Sequence, residues 1–357
     1  MSRNNELISK PIILREGKNT KRDLEILVKT HKIWRKRDIY ESQLRELFEI
    51  SNPKLKKSKE YKSKESKFLT QKKRNGHSGN WIYFPWSGEL IHCVNEAEYL
   101  QLRTNRNQNL ITRKEQEILK NFCVGIAGLS VGSNIAIGMS YLGIENLKLA
   151  EFDTLETTNL NRIRAGLQDI GSPKIEITAQ QIYDLNPYAN LTTYSEGLKK
   201  DNLSSFLKGK IKLDLVFEII DDFEMKILLR KKAKEFGIPV IMLANVHDKV
   251  IIDIERYDLD KSTPLFNGIL GDLPERILSN PGENVNRYAV EMVGRSNVSK
   301  KAINSVKEIN KTLIGRPQLN STVMVNSGLA VYLTRQIALK EDLPSGRNIV
   351  SFDKIIK

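Results

Sequence analysis

Cysteine is almost absent from this chain of 357 residues. The two cysteines, Cys93 and Cys123, are too far apart to form a Cys-x-x-Cys pair. A structural zinc site built from four cysteines is therefore excluded, and nothing indicates the disulfide framework of a small secreted domain. The histidines show no metal-ligand spacing, so we expect no zinc. They are His31, His77, His92 and His247.

The chain also lacks a recognisable secretion signal and a convincing membrane span. Residues 1–14 have charges scattered through them and hold no apolar core. Residues 122–144 carry no charge and are long enough to cross a bilayer, but glycines interrupt them, and Ser130 and Asn134 lie in the middle. A buried strand, a tight turn and a buried helix explain this run better. We therefore expect a cytoplasmic protein that makes no contact with membranes.

Acidic residues are scarce in the first part of the chain. Residues 1–80 hold 22 Lys and Arg against 10 Asp and Glu, so they carry +12 of the net charge of +14. Within them, residues 54–74 are rich in lysine and serine, which predicts a flexible linker. The charge of residues 1–75 is compatible with nucleic acid, because Lys and Arg release counterions from phosphate. However, no RNA-binding motif accompanies it, and such runs are more often solvated tails.

The pattern of apolar residues divides the chain into three parts. Residues 1–75 form a basic segment with one or two helices and the linker, residues 76–98 form a β-hairpin, and residues 99–357 form the main domain. Strands alternate with helices in the main domain, which predicts an α/β fold with a Rossmann-like, mostly parallel sheet. The predicted strands are 122–128, 146–153, 190–196, 213–220, 238–245 and 249–257. The predicted helices include 112–120, 131–142, 299–313 and 320–339, the last two of which close the chain.

A glycine turn follows the first predicted strand of the main domain. In Gly128-Leu-Ser-Val-Gly132, backbone amides can approach a phosphate at the start of the next helix. The turn lacks the middle glycine of G-x-G-x-x-G and is one residue short, so taken alone it fits an unliganded crossover equally well. Glu151 and Asp153 end the second strand, where a carboxylate can bind a ribose hydroxyl or simply meet water.

Two cations follow the second strand. Arg162 comes after a short turn that contains Asn159, and an arginine in such a turn is usually solvated. Lys174 lies in the first turn of a predicted helix, where a cation is mildly unfavourable to the helix dipole. That small cost suggests a reason for the lysine, although exposed lysines often tolerate it.

A pair of aspartates follows the apolar strand 213–220. Asp221 and Asp222 lie where open parallel sheets bind ligands, at the carboxyl ends of the strands. Asp221 fits a capping box with Glu224, which would be a purely structural role. It also fits a single carboxylate ligand of Mg²⁺ whose other ligands are phosphate oxygens.

As an ordered set, these motifs resemble those of the ThiF/MoeB superfamily, the adenylating enzymes related to ubiquitin-activating proteins. That family has a glycine loop followed by D-x-D, S-N-L-x-R, G-x-x-K and D-N. The matching segments are Gly128–Gly132, Glu151–Asp153, Thr158–Arg162, Gly171–Lys174 and Asp221-Asp222. Upstream, Arg103-Thr-Asn-Arg106 resembles the R-x-N-R motif, whose last arginine reaches the partner subunit's site. This implies a homodimer.

The chain resembles more closely still a bacterial ThiF-like subgroup, whose members are often fused to a nitroreductase-like domain. The segments that carry this likeness are Trp81–Trp86, Leu102–Arg106, Asn161–Gly166 and Pro264–Gly268. The chain departs from the family where Glu151 replaces aspartate, Asp222 replaces asparagine and Lys226 stands where arginine is frequent.

The resemblance implies an adenylyltransferase of the ubiquitin-like modifier-activating type, which uses ATP and Mg²⁺ to transfer AMP to a carboxylate. Residues 99–357 would be its adenylation domain. The implied catalytic residues are Arg106, Arg162, Lys174 and Asp221, with Asp221 as the metal ligand. The implied nucleotide-binding residues are Gly128, Ser130, Gly132, Glu151, Asp153, Asn159, Arg162 and Lys174. The carboxylate would belong to a peptide, a carrier protein or a modified tRNA base, and no cysteine follows Cys123 to accept the product.

Two other classes of function stay open. The nitroreductase fusions of the subgroup motivate an NAD(P)-binding protein or a redox partner. The altered glycine loop motivates a scaffold without catalysis that dimerises or senses a nucleotide.

Overall fold

The structure of the protein is a computed structural model that describes residues 9–75, 78–280 and 285–355. The chain divides into two compact units. The N-terminal unit reaches residue 116 and also includes residues 183–188, and the C-terminal unit comprises residues 117–182 and 189 onward. The predicted boundaries at residues 75 and 98 stay predictions, and His77 lies outside the described residues.

The N-terminal unit contains a four-stranded sheet in the order β1-β3-β4-β2. The central pair, β3 and β4, is antiparallel, which confirms the predicted hairpin, while β2 pairs in parallel with β4. The elements are β1 (Ile12–Leu14), α1 (Lys21–Thr30), β2 (Arg35–Asp38), α2 (Tyr40–Ser51), α3 (Tyr61–Arg74), β3 (Asn80–Phe84), β4 (Glu89–Cys93) and α4 (Glu96–Arg103). Helix α5 (Arg113–Asn121) follows, and Thr112 and Glu115 form the predicted capping box at its start.

The prediction of a flexible linker over residues 54–74 is wrong for most of that segment, because residues 61–74 form α3. The few apolar residues of this helix lie on one face. Leu69 is buried against Leu44 and Leu47 of α2, and Phe68 packs on the same cluster. Packing of one face stabilises a helix whose composition alone would not predict it.

The C-terminal unit contains a seven-stranded sheet in the order β11-β10-β9-β8-β5-β6-β7. Five neighbouring strands are parallel to one another, namely β9, β8, β5, β6 and β7. Strands β10 and β11 are antiparallel additions at one edge. Its elements are β5 (Cys123–Ala127), α6 (Gly132–Leu142), β6 (Asn146–Ala150), α7 (Lys174–Leu185), β7 (Asn190–Tyr194), α8 (Leu203–Lys208), β8 (Leu215–Glu218), α9 (Phe223–Phe236), β9 (Val240–Val246), β10 (Lys249–Glu255), α10 (Leu273–Ser279), α11 (Val285–Val293), α12 (Lys300–Glu308), α13 (Asn320–Ala338), β11 (Gly346–Ser351) and α14 (Phe352–Ile355). The mostly parallel Rossmann-like sheet is confirmed, but the expectation that two helices close the chain is wrong, because β11 and α14 follow α13.

The order of the strands creates a switch point between β5 and β8. From β5 the chain proceeds to β6 and β7 on one side, and then returns to β8 and β9 on the other. The loops after β5 and β8 therefore diverge at the carboxyl edge of the sheet, where open α/β sheets bind their ligands.

The charge-free run that contains α6 lies in the core. Nine of the helix's eleven residues are buried, and α6 packs against α13, where Gly138 lies directly beneath Val331. Burial on all sides explains why the helix is apolar around its whole circumference. Among the helices of the described residues, none has both the length and the apolar character needed to cross a membrane.

Substitution of Leu69 by alanine tests whether α3 belongs to the folded unit. We expect Leu69→Ala to lower the free energy of unfolding by about 2–5 kcal/mol, because it removes a buried side chain from the α2–α3 contact. Lys67→Ala, at an exposed position on the same helix, should change it by less than about 0.5 kcal/mol. Urea denaturation followed by circular dichroism measures both, and equal stabilities would show that residues 61–74 do not contribute to the fold.

Candidate nucleotide-binding site

The glycine turn is held tightly between two strand ends. Gly128 has φ of +91°, and its amide donates to the carbonyl of Ala150 at 2.9 Å. A Cβ atom at this position would lie 2.5 Å from the carbonyl oxygen of Ile219, just beyond β8. Both the backbone conformation and the close approach therefore require glycine.

The start of α6 offers free hydrogen-bond donors. The amides of Ser130, Val131 and Gly132 donate to no acceptor in the described part of the chain, and no side chain caps the helix. The hydroxyl of Ser130 is buried and also has no partner among the described residues. Unpaired amides at the positive end of a helix dipole form an anion site.

Glu151 fixes the glycine turn from the end of β6. One carboxylate oxygen accepts from the amide of Leu129 at 2.7 Å, and the other accepts from the amides of Phe152 and Asp153 at 2.8 and 3.0 Å. The residue is only 7% exposed. Both carboxylate oxygens of Glu151 thus accept from backbone amides. The predicted contact of Glu151 with a ribose stays a prediction.

Lys174 lies at the start of α7 and reaches back to the end of β6. Its ammonium group lies 2.9 Å from a carboxylate oxygen of Asp153, and its amide donates to the Asp153 carbonyl. The lysine side chain is buried, whereas half of the Asp153 side chain is exposed. This pairing explains a cation at a helix N-terminus, where it would otherwise be unfavourable.

Arg162 is carried by the loop that follows β6. Its Nη1 donates to the carbonyl of Thr158 at 3.2 Å and to the side chain of Asn161 at 2.9 Å, while Nε is buried without a partner among the described residues. Burial lowers the pKa of Arg162, and the charge of Asp221 opposes that shift. Asn159 is buried in the same loop and accepts from the amide of Glu156.

The two aspartates after β8 have different roles. Asp222 is the N-cap of α9 and accepts from the amide of Met225 at 2.8 Å, so the predicted capping box of Asp221 with Glu224 is wrong. The Asp221 side chain is 90% exposed, and one of its oxygens lies 2.6 Å from the guanidinium of Arg316. Arg316 could not be recognised from the sequence, because it lies in no motif and is far from Asp221 along the chain.

Direct contacts tie these loops together. The side-chain amide of Asn134, in the first turn of α6, donates to the carbonyl of Arg162 at 2.9 Å. Together with the Glu151–Leu129 bond and the approach of Gly128 to Ile219, this contact places nearly all of the predicted residues at one edge of the sheet. The exception is Arg106, an exposed residue of the N-terminal unit, whose place relative to this edge stays a prediction.

Neither cysteine is suited to nucleophilic chemistry. Cys123 is buried in β5, and burial raises its pKa to about 11. Cys93 is buried in β4, and burial raises its pKa to about 12. Both thiols are therefore protonated near neutral pH, and the protonated thiol is a poor nucleophile.

Comparison with models of protein families gives a match to the central part of the chain. Residues 103–249 match the model of the ThiF family. The chain carries a ThiF family domain. The predicted resemblance to the ThiF/MoeB superfamily is thereby confirmed, while the fusion to a nitroreductase-like domain stays a prediction.

Several curated proteins are similar in sequence to this chain. An uncharacterized protein of Mycobacterium tuberculosis is 34% identical over 75% of this chain and 37% of its own length. A tRNA threonylcarbamoyladenosine dehydratase of Bacillus subtilis is 30% identical over 38% of this chain and 54% of its own length. A molybdopterin-synthase adenylyltransferase of Haemophilus influenzae is 24% identical over 55% of this chain and 78% of its own length. The chain thus spans from about a third to about half of the first two relatives.

The fold of this chain also has a relative among solved structures. The crystal structure of PaaA superposes with a TM-score of 0.52 and 19% sequence identity, over 72% of this chain and 80% of that one. At this level of identity the likeness shows the fold alone.

Substitution of Gly128 by alanine tests the geometry of the turn. We expect Gly128→Ala to destabilise the protein by about 2 kcal/mol or more, because positive φ and the contact with Ile219 both oppose a Cβ atom. Gly328→Ala in α13 is the matched control, since open space surrounds its Cβ position and alanine favours the helix by up to about 1 kcal/mol. Chemical denaturation measures both variants, and similar stabilities would contradict the described turn.

Proposed function

We propose that the C-terminal unit transfers AMP from ATP to a substrate carboxylate. The observation that carries this proposal is the meeting of the free amides at the start of α6 with Arg162, Lys174 and Asp221 around one sheet edge. Amides and cations in this arrangement suit a polyphosphate. The ThiF domain, and a relative named as an adenylyltransferase, support transfer of AMP over simple binding of a nucleotide.

The reaction requires little chemistry from the protein itself. The attacking carboxylate is ionised near neutral pH, so no general base is needed. One of its oxygens forms a bond to the α-phosphorus, and the bond from that phosphorus to the bridging oxygen of the β-phosphate breaks, releasing pyrophosphate. Catalysis then consists of positioning and of charge neutralisation at the α-phosphate. Arg162 and Lys174 would face the phosphates, Asn159 would orient them, and Glu151 or Asp153 would bind the ribose.

Asp221 is suited to hold Mg²⁺. Its carboxylate is exposed, and only one oxygen contacts Arg316. In the described residues, no group of three or more His, Cys, Asp or Glu could hold a metal, so phosphate oxygens and water would complete the coordination, as Mg²⁺ commonly prefers. The cation would supply further neutralisation of the phosphate charge.

The adenylated product would pass to a nucleophile outside this chain. Cys93 and Cys123 are the only cysteines in the sequence, and both are buried with raised pKa values. The carboxylate would belong to a peptide or carrier-protein C-terminus or to a modified tRNA base, in line with the names of two relatives. The positive charge of residues 1–75 is compatible with binding of nucleic acid.

The protein would act in the cytoplasm as a homodimer with shared sites. The proposal of a homodimer with shared sites rests on the resemblance of Arg103–Arg106 to the R-x-N-R motif. Arg106 is exposed and forms no ion pair with any described residue, so its guanidinium is available to a partner subunit. In that case each phosphate site would contain an arginine from the other chain.

Calorimetry with ATP and Mg²⁺ tests the site through two neighbouring aspartates. We expect Asp221→Asn to weaken binding by about 10–100-fold, because a charged ligand of the cation is lost. Asp222→Asn should leave the affinity within about twofold, because asparagine caps a helix as well as aspartate. Lys174→Ala should weaken binding about as much as Asp221→Asn, and Lys232→Ala, which removes a surface ion pair of α9, should not.

The other functional classes correspond to other outcomes of this experiment. Tight binding of NADH and none of ATP by the wild type would replace adenylation with the NAD(P)-binding function. Binding of neither ligand would favour the scaffold. Equal effects of the two aspartate substitutions would refute the role of Asp221.

Mixing two defective variants tests the shared site. Arg106→Ala and Lys174→Ala homodimers should each bind ATP weakly. After subunit exchange at equal concentrations, about a quarter of all sites should regain wild-type affinity, because half of the dimers are mixed and each holds one intact site. Calorimetric stoichiometry measures this fraction, and a mixture that behaves as the sum of its components would show that Arg106 does not act across a dimer.

A further inference from the structure

Arg316 makes an unexpected contact with the candidate metal ligand. Its Nη2 lies 2.6 Å from Oδ1 of Asp221, and both side chains remain solvent-accessible. Arg316 belongs to the segment 309–319, which connects α12 to α13. An arginine from outside every nucleotide motif thus reaches the carboxylate that the proposed function assigns to Mg²⁺.

The same segment also contacts the loop that carries Arg162. The side-chain amide nitrogen of Asn161 donates to the backbone carbonyl of Gln318 at 2.9 Å, and the side-chain oxygen Oδ1 of Asn161 accepts from Nη1 of Arg162. Segment 309–319 therefore touches the loops after β6 and β8, which lie on opposite sides of β5. It lies across the edge of the sheet where the phosphates would bind.

Two polar atoms near this crossing have unused bonding capacity. Oε1 of Gln318 and Nε of Arg162 are buried without a hydrogen-bond partner within the described ranges. Buried polar atoms are normally paired, so each one without a partner needs an explanation. An anion beside Arg162, or a shift of the segment that releases Gln318, would satisfy them.

Segment 309–319 has no fully buried residue. Its residues are mostly exposed, including Ile314 at 88%, and open space surrounds Gly315. Few buried apolar contacts mean that little free energy opposes local rearrangement. The pair of Arg316 with Asp221 is also weak, because solvent screens it.

We infer that Arg316 is a further phosphate-binding residue of this site. Without a nucleotide, Arg316 pairs with Asp221. With ATP and Mg²⁺ bound, Asp221 would hold the cation, and the guanidinium of Arg316 would turn to the phosphates. A planar guanidinium is well suited to phosphate oxygens, which it can bind through two parallel hydrogen bonds. This inference rests on the proposed function, because it requires a nucleotide at the same edge.

Affinity measured against the number of phosphates tests the role of Arg316. Arg316→Ala should weaken binding of ATP with Mg²⁺ by about 10-fold or more and binding of AMP by less, because the lost contact is to phosphate. Arg316→Lys should lie between the wild type and Arg316→Ala, since it keeps the charge but not the fork. Lys311→Ala, an exposed cation on the same segment, is the control and should change affinity by less than about twofold.

Each alternative gives a different result. Unchanged or tighter binding of ATP by Arg316→Ala would show that Arg316 only shields Asp221, and would overturn the assignment. If Asp221→Asn weakens ATP binding in the same series while Arg316→Ala does not, the proposed function stands and the inference fails. If the wild type binds no ATP, both fail. Thermal denaturation of each variant checks that it is folded. Substitution of Arg316 or Lys311 should not cause loss of folding, because both residues are exposed.

Discussion

A buried network of four charges determines where the candidate site can lie. Arg230 is fully buried and contacts Glu218 and Glu255 at 2.7 Å each, and Lys226 contacts the other oxygen of Glu218 at 2.6 Å. Two cations and two carboxylates balance, but the desolvation of each is large, so the loss of one partner would leave an unpaired charge in the core. Burial raises the pKa of Glu255, and Arg230 opposes that shift. The network joins the ends of β8 and β10 to α9.

The network also fixes the backbone that follows β8, at the edge of the sheet where the candidate site lies. Glu218 accepts from the amide of Ile220 at 3.1 Å, which fixes the backbone directly before Asp221. The neighbouring carbonyl of Ile219 lies against Gly128, so the end of β8 and the glycine turn constrain each other. A rigid wall of this kind keeps Asp221 and the glycine turn at a constant separation, whereas segment 309–319 is mostly exposed and is held by fewer buried contacts.

Sequence patterns predicted those parts of the fold that depend on local chemistry. The charge-free run around α6 and the parallel strands β5, β6, β8 and β9 follow from burial on both faces of the sheet. Helix α3 could not be predicted from its own composition, because its stability comes from packing of Leu69 against the preceding helix α2. The same distinction applies to the candidate site. The motif residues could be predicted because they follow strand ends, whereas the contact of Arg316 with Asp221 depends on tertiary structure. Which of two adjacent aspartates caps α9 depends on backbone angles that the sequence does not specify.

The cations of the site are each restrained by a carboxylate that a nucleotide could replace. Lys174 pairs with Asp153, Arg316 pairs with Asp221, and the charge of Asp221 also supports Arg162. Without these partners, cations held around one sheet edge would repel one another and would resist partial burial. Glu151 takes no part in this exchange, because backbone amides occupy its carboxylate. The negative charges of a polyphosphate can then take the place of these carboxylates beside the cations. The balance of charge around the cations therefore changes little when the polyphosphate binds.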